Sequence, residues 1–205
     1  MKDIVIVGAG EGEIVKLIDD INAEKKEWNI IGFLDANPEL WGKELLGYPV
    51  LGGDDLAEKY SYAYFAINVS ATPEIRRRVF QKYKNSKIAT LIHPSVNVDY
   101  VEIGEGSVVY QGAVLGERVR LGVGVFLNYS VTVCHESVIG SYSILAPGVI
   151  IAGRVNVGEN VFIGLGAHIR DGIKLGNYSV IGMGSVVVKD VPDGVTVVGN
   201  PAKPQ

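Results

Sequence analysis

Cysteine, methionine and histidine are scarce in this chain of 205 residues, which has one, two and three of them. The single cysteine, Cys134, excludes an intrachain disulfide and fits a reducing cytoplasm. His93, His135 and His168 are scattered, with no Cys/His cluster around them, so no metal site is expected. Basic blocks are missing as well. The chain has 19 Lys and Arg against 23 Asp and Glu, a net charge of −4. That argues against a nucleic-acid partner, because no cationic patch is there to displace counterions from phosphates. No apolar run approaches the roughly 20 residues of a membrane span. Met1-Lys2-Asp3 leads into a short apolar strand rather than the apolar core of a signal peptide. A soluble cytoplasmic protein is expected.

Glycine, by contrast, is abundant at 26 residues, and much of it is periodic. From about Leu91 to about Val191 an aliphatic residue recurs every six positions (Leu91, Ile103, Val109, Leu115 and onward to Val187), broken only by Asn97. Four positions later stands a small or branched residue, from Ser95, Val101 and Ser107 to Val191. The position after the aliphatic is often glycine, as at Gly104, Gly116, Gly122 and Gly140. A period of six fits neither the 3.6 of a helix nor plain strand alternation. It predicts a solenoid with one short strand and one tight turn per side, so that three hexads close a triangular coil. On this reading the glycines supply unusual backbone angles at the corners, and no residue is inserted or lost along the repeat.

The first ninety residues read differently. Ile4–Val7 is a buried-strand run, followed by Gly8-Ala9-Gly10-Glu11-Gly12 and a helical stretch from Ile14. A second strand, Ile30–Leu34, ends at Asp35, and a third runs from Tyr62 to Ile67 before Asn68. Thr72-Pro73-Glu74 opens a second helix with an N-cap, a proline at the first position and an acidic first turn. A last strand, Lys87–Ile92, leads to His93-Pro94. Strands alternating with helices predict a small parallel α/β sheet. A glycine-rich turn from strand to helix can cradle a phosphate, and an acid closing the second strand can bind a ribose hydroxyl. Gly8, Gly10, Gly12, Asp35 and Asn68 are therefore the candidate nucleotide contacts. The spacing is not the full dinucleotide fingerprint, so a nicotinamide redox site is not expected.

The Gly-Ala-Gly start, Phe33-Leu34-Asp35, Glu74-Ile75-Arg76 and Leu91-Ile92-His93-Pro94-Ser95 leading into hexads resemble the family of sialic acid O-acetyltransferases and UDP-4-amino-sugar N-acetyltransferases. The resemblance covers nearly the whole chain. It implies a Rossmann-like domain over residues 1–90 that holds a nucleotide sugar. Residues 91–205 would then form a left-handed parallel β-helix carrying the acyltransferase chemistry, with a C-terminal cap. It also implies acetyl-CoA as acyl donor, bound in clefts between the prisms of a homotrimer. Four positions depart from the family pattern. Glu11 and Glu13 stand in the phosphate loop where small residues or histidine are usual. Asn68 replaces the usual glycine, and Ile144 occupies the place of a second histidine, nine residues past His135.

Acyl transfer from a thioester needs a base of near-neutral pKa to take the acceptor's proton, which suits histidine. His135 is followed by Glu136, and Asn128 lies seven residues upstream. The resemblance makes His135 the general base, Glu136 its orienting partner, and Asn128 a holder of the acceptor or the base. It places Gly153, Leu165 and Met183 along the cofactor, and Lys203, in the tail Val198-Gly199-Asn200-Pro201-Ala202-Lys203, near a phosphate of CoA. His93 and His168 read as a structural and a surface residue, and Cys134 as a packed thiol. The expected activity is N-acetylation of a nucleotide-linked amino sugar for surface glycan synthesis. O-acetylation of sialic acid or polysaccharide is the alternative, and a non-catalytic sugar-nucleotide binder is a third reading.

Overall fold

The computed structural model describes residues 1–205. Its N-terminal part is a parallel sheet built from β1 (Lys2–Val7), β2 (Trp28–Leu34), β3 (Glu44–Leu45), β4 (Tyr48–Gly52), β5 (Tyr64–Ile67) and β6 (Lys87–Ile88), in the order β3-β4-β2-β1-β5-β6. Only the β3–β4 pair is antiparallel, a hairpin turned at Leu46-Gly47 with φ positive at both residues. Because β1 lies between β2 and β5, the loops leaving β1 and β5 diverge and open a crevice at the carboxyl ends of the strands. Helix α1 (Glu13–Glu24) buries Ile14, Val15, Leu17, Ile18 and Ile21, one apolar stripe at helical spacing. Helix α2 (Pro73–Lys82) begins as its sequence predicts, with Thr72 Oγ1 accepting from Ile75 N–H.

The hexads form a three-sided parallel solenoid with 18 residues per coil. The first face holds strands such as Val114–Leu115, Thr132–Val133 and Ile150–Ile151, and the second Arg120–Leu121, Val138–Ile139 and Asn156–Val157. The third face runs from Leu91–Ile92 through Phe126–Leu127, Ile144–Leu145 and Phe162–Ile163 to Thr196–Val198. The aliphatic and small columns both point inward and stack in one core. Buried serines stitch coil to coil: Ser143 Oγ donates to the Gly158 carbonyl and accepts from Val161 N–H, each at 3.0 Å.

Two expectations about the repeat need correction. The uninterrupted register is shorter than the sequence pattern reads. Leu91 pairs with Val108 and Ile92 with Val109, so the first step is 17 residues, and Ile92 rather than Leu91 faces the solenoid core. Leu91 packs instead into the core shared with the N-terminal domain. At the other end Leu175 bridges Val191, a step of 16, which moves Val191 from the small column into the aliphatic one. The glycines after the aliphatic also serve a different purpose. Gly104, Gly116, Gly122 and Gly140 have ordinary φ, but a Cβ on Gly116 would meet His135 N at 2.6 Å, and one on Gly122 would meet Ser141 N at 2.7 Å. They are there for space. The left-handed residue comes two positions later, and there side chains are common, as at Arg118, Ser130, Glu136, Tyr142, Arg154, Asn160 and Tyr178.

The N-terminal domain lies on the third face, burying the outward side chains of Val108, Phe126 and Ile144. Arg76 of α2 fixes the union. Fully buried, it donates to the Gly106 and Gly124 carbonyls of the solenoid and to the Ile67 and Val69 carbonyls of its own domain. Burial lowers its guanidinium to about 9, which leaves it charged and donating at neutral pH. His93 sits at the same junction, with Nε2 3.3 Å from Asp20 and Nδ1 2.8 Å from Ser95 Oγ. No helix is long and apolar enough to cross a membrane.

Urea denaturation of three variants tests this packing. Arg76→Met should lower the unfolding free energy by about 3 kcal/mol or more, because it strands several buried carbonyls. Gly140→Ala should cost about 2–4 kcal/mol through backbone collision with Gly158. Gly148→Ala, at a left-handed corner with open space around it, should cost only about 1 kcal/mol.

Candidate active site

His135 stands two residues past strand Thr132–Val133, on the edge where the first face turns into the second. Glu136 takes the left-handed corner position, with φ of 59° and its N–H donating to the Glu117 carbonyl one coil below. That corner turns the carboxylate back toward the imidazole, and Nδ1 lies 3.1 Å from Glu136 Oε2. Arg118 and Arg154, one coil below and one above, flank the carboxylate at 3.5 and 4.0 Å. The hydrogen bond to His135 first, and Arg118 second, hold the Glu136 carboxyl below its ordinary value. An ionised Glu136 accepting from Nδ1–H leaves Nε2 with a free lone pair. Gly153, one coil above, keeps that nitrogen accessible, since a Cβ at 153 would lie 2.6 Å from Nε2.

Asn128 follows Phe126–Leu127 on a different edge, where the third face turns into the first. Its Oδ1 accepts from Tyr129 N–H. It lines a cavity of about 410 Å³ together with Tyr110, Phe126, Tyr129 and Pro147 on the solenoid and Glu11, Gly12 and Glu13 of the β1–α1 loop. Tyr129 Oη donates to Glu13, and burial first, then that bond, push the phenol above its ordinary value. Leu165 and Met183 continue this edge, 53% and 77% exposed.

The β1–α1 loop is held from three sides. Gly8 has φ of 102°, and a Cβ there would meet the Asn68 carbonyl at 2.8 Å. Asn68 Nδ2 donates to the carbonyls of Gly8 and Glu11. Asp35 accepts from Ala9 N–H through Oδ2 and from Asn37 N–H through Oδ1. Asn68 and Asp35 thus shape the loop before any ligand arrives. Gly10 is open to solvent space, whereas Gly12, the N-cap of α1, faces Leu46. On the far side of the loop a second cavity, of about 430 Å³, is lined by Gly8, Asp35, Val69, Ile75 and Arg78 among others. Lys203 lies exposed in the tail hairpin, which closes the end of the solenoid through Ala202 N–H donating to the Val186 carbonyl.

Within one chain, then, His135, Glu136 and Gly153 share one edge, while Asn128, Leu165, Met183 and the glycine loop share another. Arg118, Arg154, Tyr110 and Tyr129 escaped the sequence reading. The 18-residue coil would have found the arginines, because 118 and 154 are 136 minus and plus 18.

Known proteins share this architecture. Residues 3–83 match the family model of the PglD N-terminal domain, and residues 154–189 match the hexapeptide repeat of succinyl-transferase. The acetyltransferase domain of PglB from Neisseria gonorrhoeae FA1090, solved with acetyl coenzyme A, superposes with a TM-score of 0.90 at 32% identity, over 100% of this chain and 99% of that one. The chain belongs to the hexapeptide-repeat family of sugar acetyltransferases. Its α/β domain followed by a left-handed β-helix is the fold of that family. PerB from Caulobacter crescentus, solved with CoA and GDP-perosamine, matches at TM-score 0.87 and 29% identity, over 100% and 98% of the two chains. WeeI from Acinetobacter baumannii AYE matches at 0.85 and 26%, over the full length of both. No curated protein sequence matches significantly.

The ion ladder at Glu136 is testable by carboxyl NMR titration. Glu136 should titrate below 4.5, and His135→Ala should move it up more than Arg154→Ala does. Because its folded pKa is depressed, its stabilising contribution is present above 4.5 and is lost as pH falls through the lowered value.

Proposed function

We propose that the chain transfers the acetyl group of acetyl-CoA to the amino group of a nucleotide-linked sugar, with His135 as general base, in surface glycan synthesis. One observation carries the chemistry: His135 Nδ1 is held by Glu136 while Nε2 is kept clear by Gly153. The free lone pair takes a proton from the attacking amine as the N–C bond forms. The tetrahedral centre then collapses with cleavage of the C–S bond, and the imidazolium returns the proton to the departing thiolate. Ionised Glu136, supported by Arg118 and Arg154, fixes the tautomer and stabilises the imidazolium between the two transfers. Relatives solved with acetyl coenzyme A and with CoA plus GDP-perosamine support this choice of substrates.

Residues 1–90 take the nucleotide in this reading, with the nucleoside in the cavity at Asp35 and the diphosphate passing the Gly8–Gly10 backbone. Residues 91–205 carry the chemistry. Gly153, Leu165, Met183 and Lys203 receive the CoA arm and its phosphates, and Asn128 meets the acceptor. These groups lie on the two edges that flank the first face, so a complete site needs two subunits. The three faces differ in a way that favours this. The second presents Glu102, Arg120, Asn156 and Lys174 to solvent, and the N-terminal domain covers much of the third. The first leaves Val114 and Ile150 58% and 40% exposed. Packing first faces around a threefold axis buries Val114 and Ile150 together with Thr132 and His168 of the same column, and sets His135 of one subunit against Asn128 of the next. The lone cysteine and the acetyl-CoA donor favour the cytoplasm for the proposed trimer.

Thiol release from acetyl-CoA with GDP-perosamine and UDP-4-amino-4,6-dideoxy sugars tests the reading. His135→Ala should cut turnover about 10²- to 10⁴-fold while leaving the fold intact, and unchanged turnover would remove His135 from the mechanism. Inactive Asn128→Ala and His135→Ala chains, unfolded together and refolded, should regain about a quarter of wild-type sites if each site spans two subunits. No recovery would place both residues in one subunit's site.

A further inference from the structure

The cavity beside Asn128 is walled by acids and phenols. Glu11, Glu13, Tyr110 and Tyr129 line it, and no Lys, Arg or His does. Tyr110 is only 3% exposed, its ring packed against Phe126 and Tyr129 at centroid distances of 5.4 and 5.0 Å. Its hydroxyl makes no hydrogen bond, and the residue lines this cavity within the field of Glu13 and Glu11. Burial foremost, then Tyr129, Glu13 and Glu11, push the phenol above its ordinary value, which keeps it neutral. Asp20 adds to the field at Tyr129. Arg76 also acts on Tyr110 but spends its donors on four backbone carbonyls, and Lys16, Asp20 and His93 line the separate small cleft on the other side of Tyr110 and Tyr129.

An anion is the wrong occupant here. The N-terminus of α1, where a phosphate would be welcome, carries Glu13 in its first turn. A cation with several donors fits: an ammonium has three N–H groups, and carboxylate and phenol oxygens accept them. From the acid pair and the buried Tyr110 side chain, whose hydroxyl makes no hydrogen bond, we infer that this cavity seats the acceptor's protonated amino group, so that Glu11 and Glu13 select an amine over a hydroxyl. The inference rests on the nucleotide-sugar reading and deepens it. The ammonium first gives one proton to a carboxylate of the pair, and the nitrogen keeps the freed electron pair. That pair forms the N–C bond as the C–S bond breaks, and the second proton goes to His135 and on to the thiolate. A hydroxyl acceptor carries no charge for the two acids to hold.

Isothermal titration of GDP-perosamine, and of the same nucleotide sugar with a 4-hydroxyl in place of the amine, tests this at pH 6.5 and pH 9. The wild type should bind the amino sugar about tenfold tighter or better at pH 6.5, with the preference shrinking at pH 9 as the amine loses its charge. Glu11→Gln/Glu13→Gln should bring the two sugars within about twofold while acetyl-CoA binding stays the same. Equal affinities in the wild type, or a preference that survives in the double variant, would overturn the inference. If neither sugar binds, the nucleotide-sugar reading fails, and crystals soaked in rubidium chloride decide the cavity alone. Anomalous density among Glu11, Glu13 and Tyr110, lost in the double variant, would retain a cation site, and its absence in the wild type would remove it.

Discussion

Stacking at the spacing of hydrogen-bonded strands, about 4.8 Å, governs everything from residue 98 to residue 190. Each residue lies over its equivalent 18 positions away, and backbone meets backbone at every turn. Where the turn brings two coils closest, a Cβ has no room, and Gly104, Gly122, Gly140, Gly158 and Gly176 follow one another up the same edge. Where the chain then swings outward in the left-handed region, there is room but some backbone strain, of order 1 kcal/mol for a side chain. The solenoid accepts that strain at the corners where a side chain is useful. Arg118, Glu136 and Arg154 are three successive left-handed corners on one edge. Their charges alternate, and the middle one holds the histidine.

The second structural decision is where the α/β domain attaches. Arg76 reaches from α2 to the carbonyls of Gly106 and Gly124 on the glycine-lined edge, and Phe80 packs against Tyr142 there. Docking on that edge covers most of the third face and leaves the His135 edge free. It also brings the β1–α1 loop over the edge that carries Asn128 and Tyr129, so the glycine loop and the solenoid share one cavity. A buried cation that sits between the Phe80 and Phe126 rings and donates to four backbone carbonyls is a directional clamp, and an apolar patch of the same size would let the domain slide.

The fold was legible because a repeat is redundant. Sixteen turns repeating one pattern outvote any single exception, and Asn97 did not hide the period. The ends were not legible, because Leu91 and Val191 keep the period in sequence while their pairings slip by one and by two residues. The purpose of the glycines was misread for a physical reason: composition does not tell a residue needed for its φ from one needed for its missing Cβ. His135 with Glu136 was readable, since adjacent residues at a corner stay adjacent in space. Asp35 and Asn68 read as ligand contacts, yet both also carry the loop's own hydrogen bonds, which one sequence does not reveal. Tyr110 and Tyr129 belong to no motif, and only the packing of the N-terminal domain brings them into a cavity.

The coil also makes this molecule a ruler. From His135 to the tail hairpin the distance is counted in whole rungs, at positions 135, 153, 171 and 189. Length along that edge changes only in steps of about 4.8 Å, and only by gaining or losing 18 residues at once. Any ligand laid along this edge spans a whole number of rungs, and point substitutions cannot adjust that number. The cavity at Glu11 and Glu13 can be altered one side chain at a time, whereas the length of this edge is quantised.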